Sequence, residues 1–181
     1  MKKIYFATGN KGKAAEAEFI LGRDIEIADL DLEEIQSEKV EDIVSHKLGS
    51  AFSKLKSPVI VDDVSLELDA WGGFPGPFVK FLHGKDTQRI LYMLRHEENR
   101  MGTLIATIGY HDSQYVHFFI GKIRVEIAKE NMGDRGWGLD PILIPEGSKL
   151  TFAQMTDELK NSLSHRRKAF DKFKTFLDSQ K

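Results

Sequence analysis

Two adjacent carboxylates, Asp62 and Asp63, follow the β-branched run Val59-Ile60-Val61. The run comes after a Ser-Pro break and reads as a strand buried on both faces that leads straight into the acids. Charge at the end of a buried strand is costly unless something compensates it, and in open α/β sheets ligands bind beyond the carboxyl ends of strands. Side chains alternate across a strand, so the two acids point to opposite faces if the extended geometry persists. That argues against a side-by-side acid–base dyad. It favours one of the two as a hard oxygen ligand for Mg2+, an ion held by one or two carboxylates together with substrate phosphates. Acids that merely form local backbone hydrogen bonds at a strand end are the alternative. A few residues on, Gly72-Gly73-Phe74-Pro75-Gly76-Pro77 sets a sharp, close-approaching loop, and Lys80 lies just past it.

Four other stretches carry chemistry-bearing residues. Thr8-Gly9-Asn10-Lys11-Gly12-Lys13 joins the short apolar run Ile4–Ala7 to a helix-forming segment closed by Gly22. Free backbone N–H groups and a helix N-terminus there would face an anion, with Lys11 and Lys13 adding charge. The stretch lacks the spacing of a Walker A loop, and a plain glycine connector is the alternative. Asp31-Leu32-Glu33-Glu34-Ile35-Gln36 is an acidic loop that on residue types alone reads first as a solvated surface turn. In Asn131–Pro141 a tryptophan, Trp137, stands between two glycines and offers a flat apolar face on a backbone able to approach a ligand. Lys160 and the run His165-Arg166-Arg167-Lys168 precede or open the last helix. Four basic residues in a first turn oppose the helix dipole, so either an anion is supplied from elsewhere or the turn is simply solvated.

The elements that must position these residues follow from periodicity. Ile4–Ala7 reads as the first strand and Ile25, Ile27 and Asp29 as one face of a second. Val40, Ile43, Val44, Leu48, Ala51, Phe52 and Leu55 recur at three- and four-residue intervals in the clearest amphipathic helix of the chain, with Lys47 at the edge of the stripe as a snorkelling lysine. Asp86 is placed to cap a helix whose apolar face is Ile90, Leu91 and Leu94. Thr103–Tyr110 and Tyr115–Ile120 read as a hairpin, continued by the alternating Lys122–Ala128, and Ile142–Ile144 as one more strand. Thr151 with Gln154 forms a capping box, Thr156 caps the next turn, and Ser164 caps a last helix that buries Ala169, Phe170, Phe173, Phe176 and Leu177.

With 181 residues, 30% charged and 41% hydrophobic, the chain is expected to form one ordinary globular domain. A net charge of −2 gives no general basic field for nucleic acid, and the absence of cysteine excludes disulfides, a thiolate nucleophile and thiolate-held metal. His111 and His117 flank the hairpin without metal spacing. No apolar run has signal-peptide or membrane-spanning length, so a cytoplasmic protein without membrane partner is expected.

Taken together and in order, the Thr8–Lys13 loop, Glu33-Glu34, Asp62-Asp63 with its Gly-Pro loop, Trp137-Gly138-Leu139-Asp140-Pro141 and Lys160–Arg166 resemble the inosine triphosphate pyrophosphatase, or Ham1-like, family over residues 4 to about 177. The resemblance implies an α/β fold: a long mixed sheet with flanking helices and two lobes around a substrate cleft, all within one domain spanning 1–181. It implies Mg2+-dependent hydrolysis of noncanonical purine nucleoside triphosphates (ITP, dITP, XTP) to monophosphate and pyrophosphate, by a homodimer that binds no nucleic acid. It assigns Thr8, Gly9, Asn10, Lys11, Gly12 and Lys13 to the triphosphate, Glu34 and Asp63 to the metal, and Asp63 to activation of water. Lys47, Lys80 and Lys160 match charge-neutralising positions, while Trp137, Gly138, Leu139, Asp140, His165 and Arg166 match those around the base. Val64 stands at a substrate-contact position where the family commonly has Ser or Thr, and Leu139 where it has a second aromatic. A sensor that binds nucleotide without hydrolysis, and a pyrophosphatase for other modified nucleotides, are the alternatives.

Overall fold

Alternation along a single strand sets the layering. The computed structural model describes residues 3–22, 25–83 and 87–180. Its elements are β1 (Tyr5–Ala7), α1 (Lys11–Leu21), β2 (Glu26–Ala28), α2 (Val40–Leu55), β3 (Val59–Leu68), β4 (Pro75–Gly76), α3 (Val79–His83), α4 (Gln88–Met93), β5 (Met101–His111), β6 (Val116–Ile127), β7 (Leu143–Pro145), α5 (Asp157–Leu163) and α6 (His165–Ser179). The described strands form an open mixed sheet of seven, in the order β2-β1-β3-β5-β6-β7, with β4 paired to β3. β1 runs parallel to both β2 and β3, whereas β4 and β7 pair antiparallel.

The chain divides into two compact units, one built from residues 1–63, 106–121 and 166–181 and the other from 64–105 and 122–165. In the first, Phe6 of β1, Ile60 of β3, and Ala106, Ile108 and Tyr110 of β5 pack with Ala17 and Ile20 of α1 and with Ala169, Phe170 and Phe173 of α6. On the opposite face Ala7, Val59 and Val61 pack against Val44, Leu48 and Ala51 of α2. In the part of β3 within this unit, even-numbered residues thus face α1 and α6, odd-numbered ones α2. On β5, Gly109 lies where a Cβ would fall 2.4 Å from Val44 Cγ1 and 2.6 Å from Leu48 Cδ1, so α2 approaches closer than any side chain there would permit.

The second unit buries Leu66 and Leu68 of β3, Ile90, Leu91 and Leu94 of α4, Ile123, Val125 and Ile127 of β6, and Phe152. Arg100, 8% exposed, holds three carbonyls there: Nε donates to Ile127 (2.8 Å), Nη1 to Leu94 (2.6 Å) and Nη2 to Ala128 (2.6 Å). It serves the orphan carbonyls of a helix end and a strand end at once.

Several sequence readings stand corrected. β3 does not end at the acids but continues through them to Leu68, because Leu66 and Leu68 carry its apolar alternation into the second unit's core. Lys11, Gly12 and Lys13 are the first turn of α1, leaving a loop of Thr8–Asn10. β2 is a three-residue edge strand in which Ile27 is 36% exposed, so Ile25 and Ile27 do not share a buried face. The Gly-Pro stretch contains β4, and α3 follows it unforeseen. Asp86 lies outside the described residues; α4 begins after Thr87. The Thr151–Gln154 capping box and the Thr156 cap, whose hydroxyl accepts the Leu159 N–H, are present as read.

At the β5–β6 turn, Asp112 Oδ1 accepts the N–H groups of Gln114 (2.8 Å) and Tyr115 (2.7 Å), and Oδ2 lies 2.9 Å from His117 Nε2. Burial alone would raise its pKa, but these bonds lower it to about 2 from an ordinary 3.8. A carboxylate with a depressed folded-state pKa adds stability that is fully present above the unfolded value and is lost as pH falls through the folded one. Wild type should therefore lose this contribution between about pH 4 and pH 2. Asp112→Asn should flatten that part of the curve in thermal melts from pH 2 to 7, and an unchanged acid limb would show the turn does not report on stability.

Candidate active site

Parallel pairing brings three segments level. β1 and β3 are in register at Tyr5 with Val59 and Phe6 with Ile60, so two residues further on Thr8 comes level with Asp62. The Thr8–Asn10 loop leaves the carboxyl end of β1, and the acidic segment follows β2. Asn10 is the N-cap of α1: its Oδ1 accepts the Lys13 N–H at 3.0 Å, and Thr8 Oγ1 accepts the Asn10 N–H at 3.1 Å. A short polar side chain is what an N-cap needs, and the cap turns the helix N-terminus and its N–H groups toward the loop.

The alternation of β3 sends its two acids to different cations. Asp62 shares the face of Ile60 and meets α1 and α6: Oδ1 is 2.8 Å from Lys13 Nζ and Oδ2 is 3.0 Å from Arg166 Nε. Asp63 shares the face of Val61 and meets α2, with Oδ2 3.8 Å from Lys47 Nζ. Lys47 also donates to Glu34 Oε1 (2.9 Å) and to the Asp62 carbonyl (3.1 Å). Arg166 further pairs with Glu16 of α1. Burial alone would raise the pKa of Asp62, but Lys13 and Arg166 hold it well below the usual carboxylate range. For Lys47, burial works against the charge and is outweighed by Asp63, Asp62 and Glu34, which raise its pKa and keep it an ammonium.

The acidic segment is tied to α2 rather than merely solvated. Besides the Lys47–Glu34 pair, His46 Nδ1 stands 3.2 Å from the Glu33 carbonyl oxygen and Lys54 donates to the Asp31 carbonyl. A cleft of about 290 Å³ opens here, bordered by Thr8, Asn10, Lys13, Glu34, Lys47 and Asp62. Lys47 is thus buried at 8% exposure and borders the cleft rather than snorkelling at the edge of the stripe.

Of the remaining sequence candidates, Trp137, Asp140 and Lys160 form a network within the second unit. Asp140 Oδ2 accepts both the Trp137 N–H and Lys160 Nζ, each at 2.7 Å, and Lys160 Nζ lies 5.5 Å from the Trp137 ring centroid. Gly136, at φ +72°, gives this turn room, since a Cβ there would fall 2.1 Å from Asp140 Oδ2. Gly138 is exposed at φ +62°, whereas Leu139 is part of the hydrophobic core. Val64 packs against the same core, Lys80 lies on α3 with Nζ 5.2 Å from the Phe81 ring, and His165 is buried as the first residue of α6.

Two residues that the sequence reading left unassigned sit at the centre of the first group, Asp62 and Glu16. Each had a signal. Asp62 has the parity of buried Ile60, and Glu16 lies three residues after Lys13 and four before Ile20, a charged member of the buried stripe of α1. The basic first turn of α6 finds carboxylates of the protein itself, through Arg166, and its Arg167 pairs with Asp171.

Fold and site define an open-sheet α/β protein with a cleft lined by paired lysines and carboxylates at the carboxyl ends of parallel strands. The chain belongs to the Ham1 family, whose profile matches residues 4–176. A dITP/XTP pyrophosphatase from Methanopyrus kandleri is 42% identical over 176 residues, covering 94% of each chain. An inosine triphosphate pyrophosphatase from Schizosaccharomyces pombe is 37% identical over 186 residues, covering 100% of this chain and 98% of its own. The structure of a HAM1 protein from Coxiella burnetii superposes with a TM-score of 0.84 at 28% identity, over 99% of this chain and 100% of that one.

Removing the Asp140 carboxylate should release the Trp137 turn. Asp140→Ala should speed amide exchange across residues 134–140 at least tenfold, as read by hydrogen–deuterium exchange with mass spectrometry, and leave the first unit unchanged. Unaltered exchange would mean that this carboxylate does not hold the turn.

Proposed function

We propose that this chain hydrolyses noncanonical purine nucleoside triphosphates, dITP, XTP and ITP among them, to nucleoside monophosphate and pyrophosphate. One observation carries the reading: Lys13, Lys47, Glu34 and the capped N-terminus of α1 border a single cleft, with Asp62 against Lys13 and Asp63 reaching the Lys47 ammonium. The names of the relatives, dITP/XTP pyrophosphatase and inosine triphosphate pyrophosphatase, support the choice of substrate.

In this reading the triphosphate meets the N–H groups at the start of α1 and the ammonium groups of Lys13 and Lys47, all fixed before substrate arrives. Asp63 takes a proton from the attacking water as its oxygen bonds the α-phosphorus and the bridging oxygen leaves with pyrophosphate. The donor set fits a hard divalent cation. The carboxylates of Glu34 and Asp63 already converge on one positive group, the Lys47 ammonium. Among the described residues no group of three or more His, Cys, Asp or Glu is arranged to hold a metal, and a pair of carboxylates is the usual protein share for Mg2+. Glu34 and Asp63 would hold Mg2+, which when bound polarises phosphoryl oxygens and neutralises developing charge. Val64, Lys80, Lys160, Trp137–Asp140, His165 and Arg166 are proposed in the substrate-binding roles that the resemblance gives them, within a cytoplasmic homodimer. No described helix is long and apolar enough to cross a membrane.

The test is product analysis with ITP, XTP, ATP, GTP and dTTP, with Mg2+ and with EDTA. Monophosphate and pyrophosphate from ITP and XTP, well above ATP and GTP and only with metal, are expected. Binding of ITP without cleavage would instead favour a sensor, with Val64 in place of a hydroxyl as its lesion. Asp63→Asn should lower kcat by about 10²–10⁴-fold, the usual worth of a positioned base, with the circular dichroism of wild type. Near-wild-type turnover would remove Asp63 from the mechanism.

A further inference from the structure

Three cations assigned to substrate come from three different helices, Lys13 from α1, Lys47 from α2 and Arg166 from α6. All three touch one residue. Asp62 meets Lys13 through Oδ1 (2.8 Å), Arg166 through Oδ2 (3.0 Å) and Lys47 through its carbonyl oxygen (3.1 Å). It is 3% exposed and lies inside a ten-residue strand.

We propose that Asp62 is a positioning residue that sets both the place and the net charge of the anion site: braced by Arg166, its carboxylate pre-orders Lys13 at the cleft and offsets its charge before triphosphate arrives. This rests on the reading of the cleft as a triphosphate site. An unrestrained lysine has rotamer freedom that must be frozen before its ammonium can act at a fixed place. The contrast within α1 is direct, since Lys11 is exposed whereas the Lys13 side chain, tied to Asp62, is only 16% exposed. The charge matters separately. With Asp62 ionised and Arg166 also paired to Glu16, the four groups Lys13, Arg166, Asp62 and Glu16 sum to zero. Neutralising Asp62 leaves the cluster at plus one, and a polyanion is then held more tightly in the ground state without any gain in the transition state. A merely structural anchor would lose folded protein but would not tighten anion binding.

The experiment uses the full chain and two readouts: calorimetric binding of inorganic tripolyphosphate in EDTA, and steady-state hydrolysis of ITP with Mg2+. For Asp62→Asn the tripolyphosphate Kd should fall at least threefold while kcat falls at least tenfold. Asp62→Glu restores the charge on an arm one methylene longer, so its Kd should return to that of wild type while kcat stays at least tenfold down. Unchanged or weaker tripolyphosphate binding by Asp62→Asn, or an undiminished kcat in either variant, overturns the proposal. If Asp62→Asn does not fold, Asp62→Glu decides it by the same criteria, any smaller loss of kcat counting against it. A wild type that cleaves no nucleotide would overturn the functional reading alone, and the binding comparison would still decide for Asp62.

Discussion

A carboxylate sealed between a sheet and two helices stays ionised only if cations reach it, and much of the first unit serves that requirement. Asp62 is held by Lys13 from one helix and Arg166 from another, so α1 and α6 are fastened to β3 by charge as well as by Phe6, Phe170 and Phe173. Burying such a group is worthwhile only when every partner is in place, because a lone buried ion costs several kcal/mol. The same demand makes the arrangement rigid. Shifting either helix would strand a charge.

Rigidity of this kind suits a site whose work is electrostatic. Phosphoryl transfer asks little covalent chemistry of a protein and much preorganised positive charge. Here α2 supplies three tethers to the acidic segment, through His46, Lys47 and Lys54, so Glu34 sits on a loop without being free to wander. The segment after β2 therefore behaves as an extension of the α2 surface.

Much of this was legible in the amino-acid order, for reasons that separate the successes from the misses. The α2 stripe was read to the residue because sixteen positions of consistent period leave little choice, and the carboxylate alternation at 62 and 63 followed from strand geometry alone. The end of β3 was misread because two charges normally close a buried run, and only the long-range partners from α1, α2 and α6 make them tolerable in mid-strand. The basic start of α6 stayed open between wanting an anion and being a solvated turn, because its carboxylates, Asp62 and Glu16, lie 104 and 150 residues away from Arg166 in the chain and leave no local mark. Lys47 looked like an edge lysine for the same reason. Where one element's pattern suffices, periodicity finds it; where compensation crosses elements, it does not.

Gly109 shows how far such dependence reaches. Its missing side chain lets α2 lie against β5 at Val44 and Leu48, the positions that flank Lys47 on the helix. The reach of the Lys47 ammonium to Glu34 and Asp63 is thus set partly by a hydrogen atom on the neighbouring strand of the sheet. A side chain at Gly109 would thus be felt at the Lys47 ammonium, although Gly109 itself lies against Val44 and Leu48.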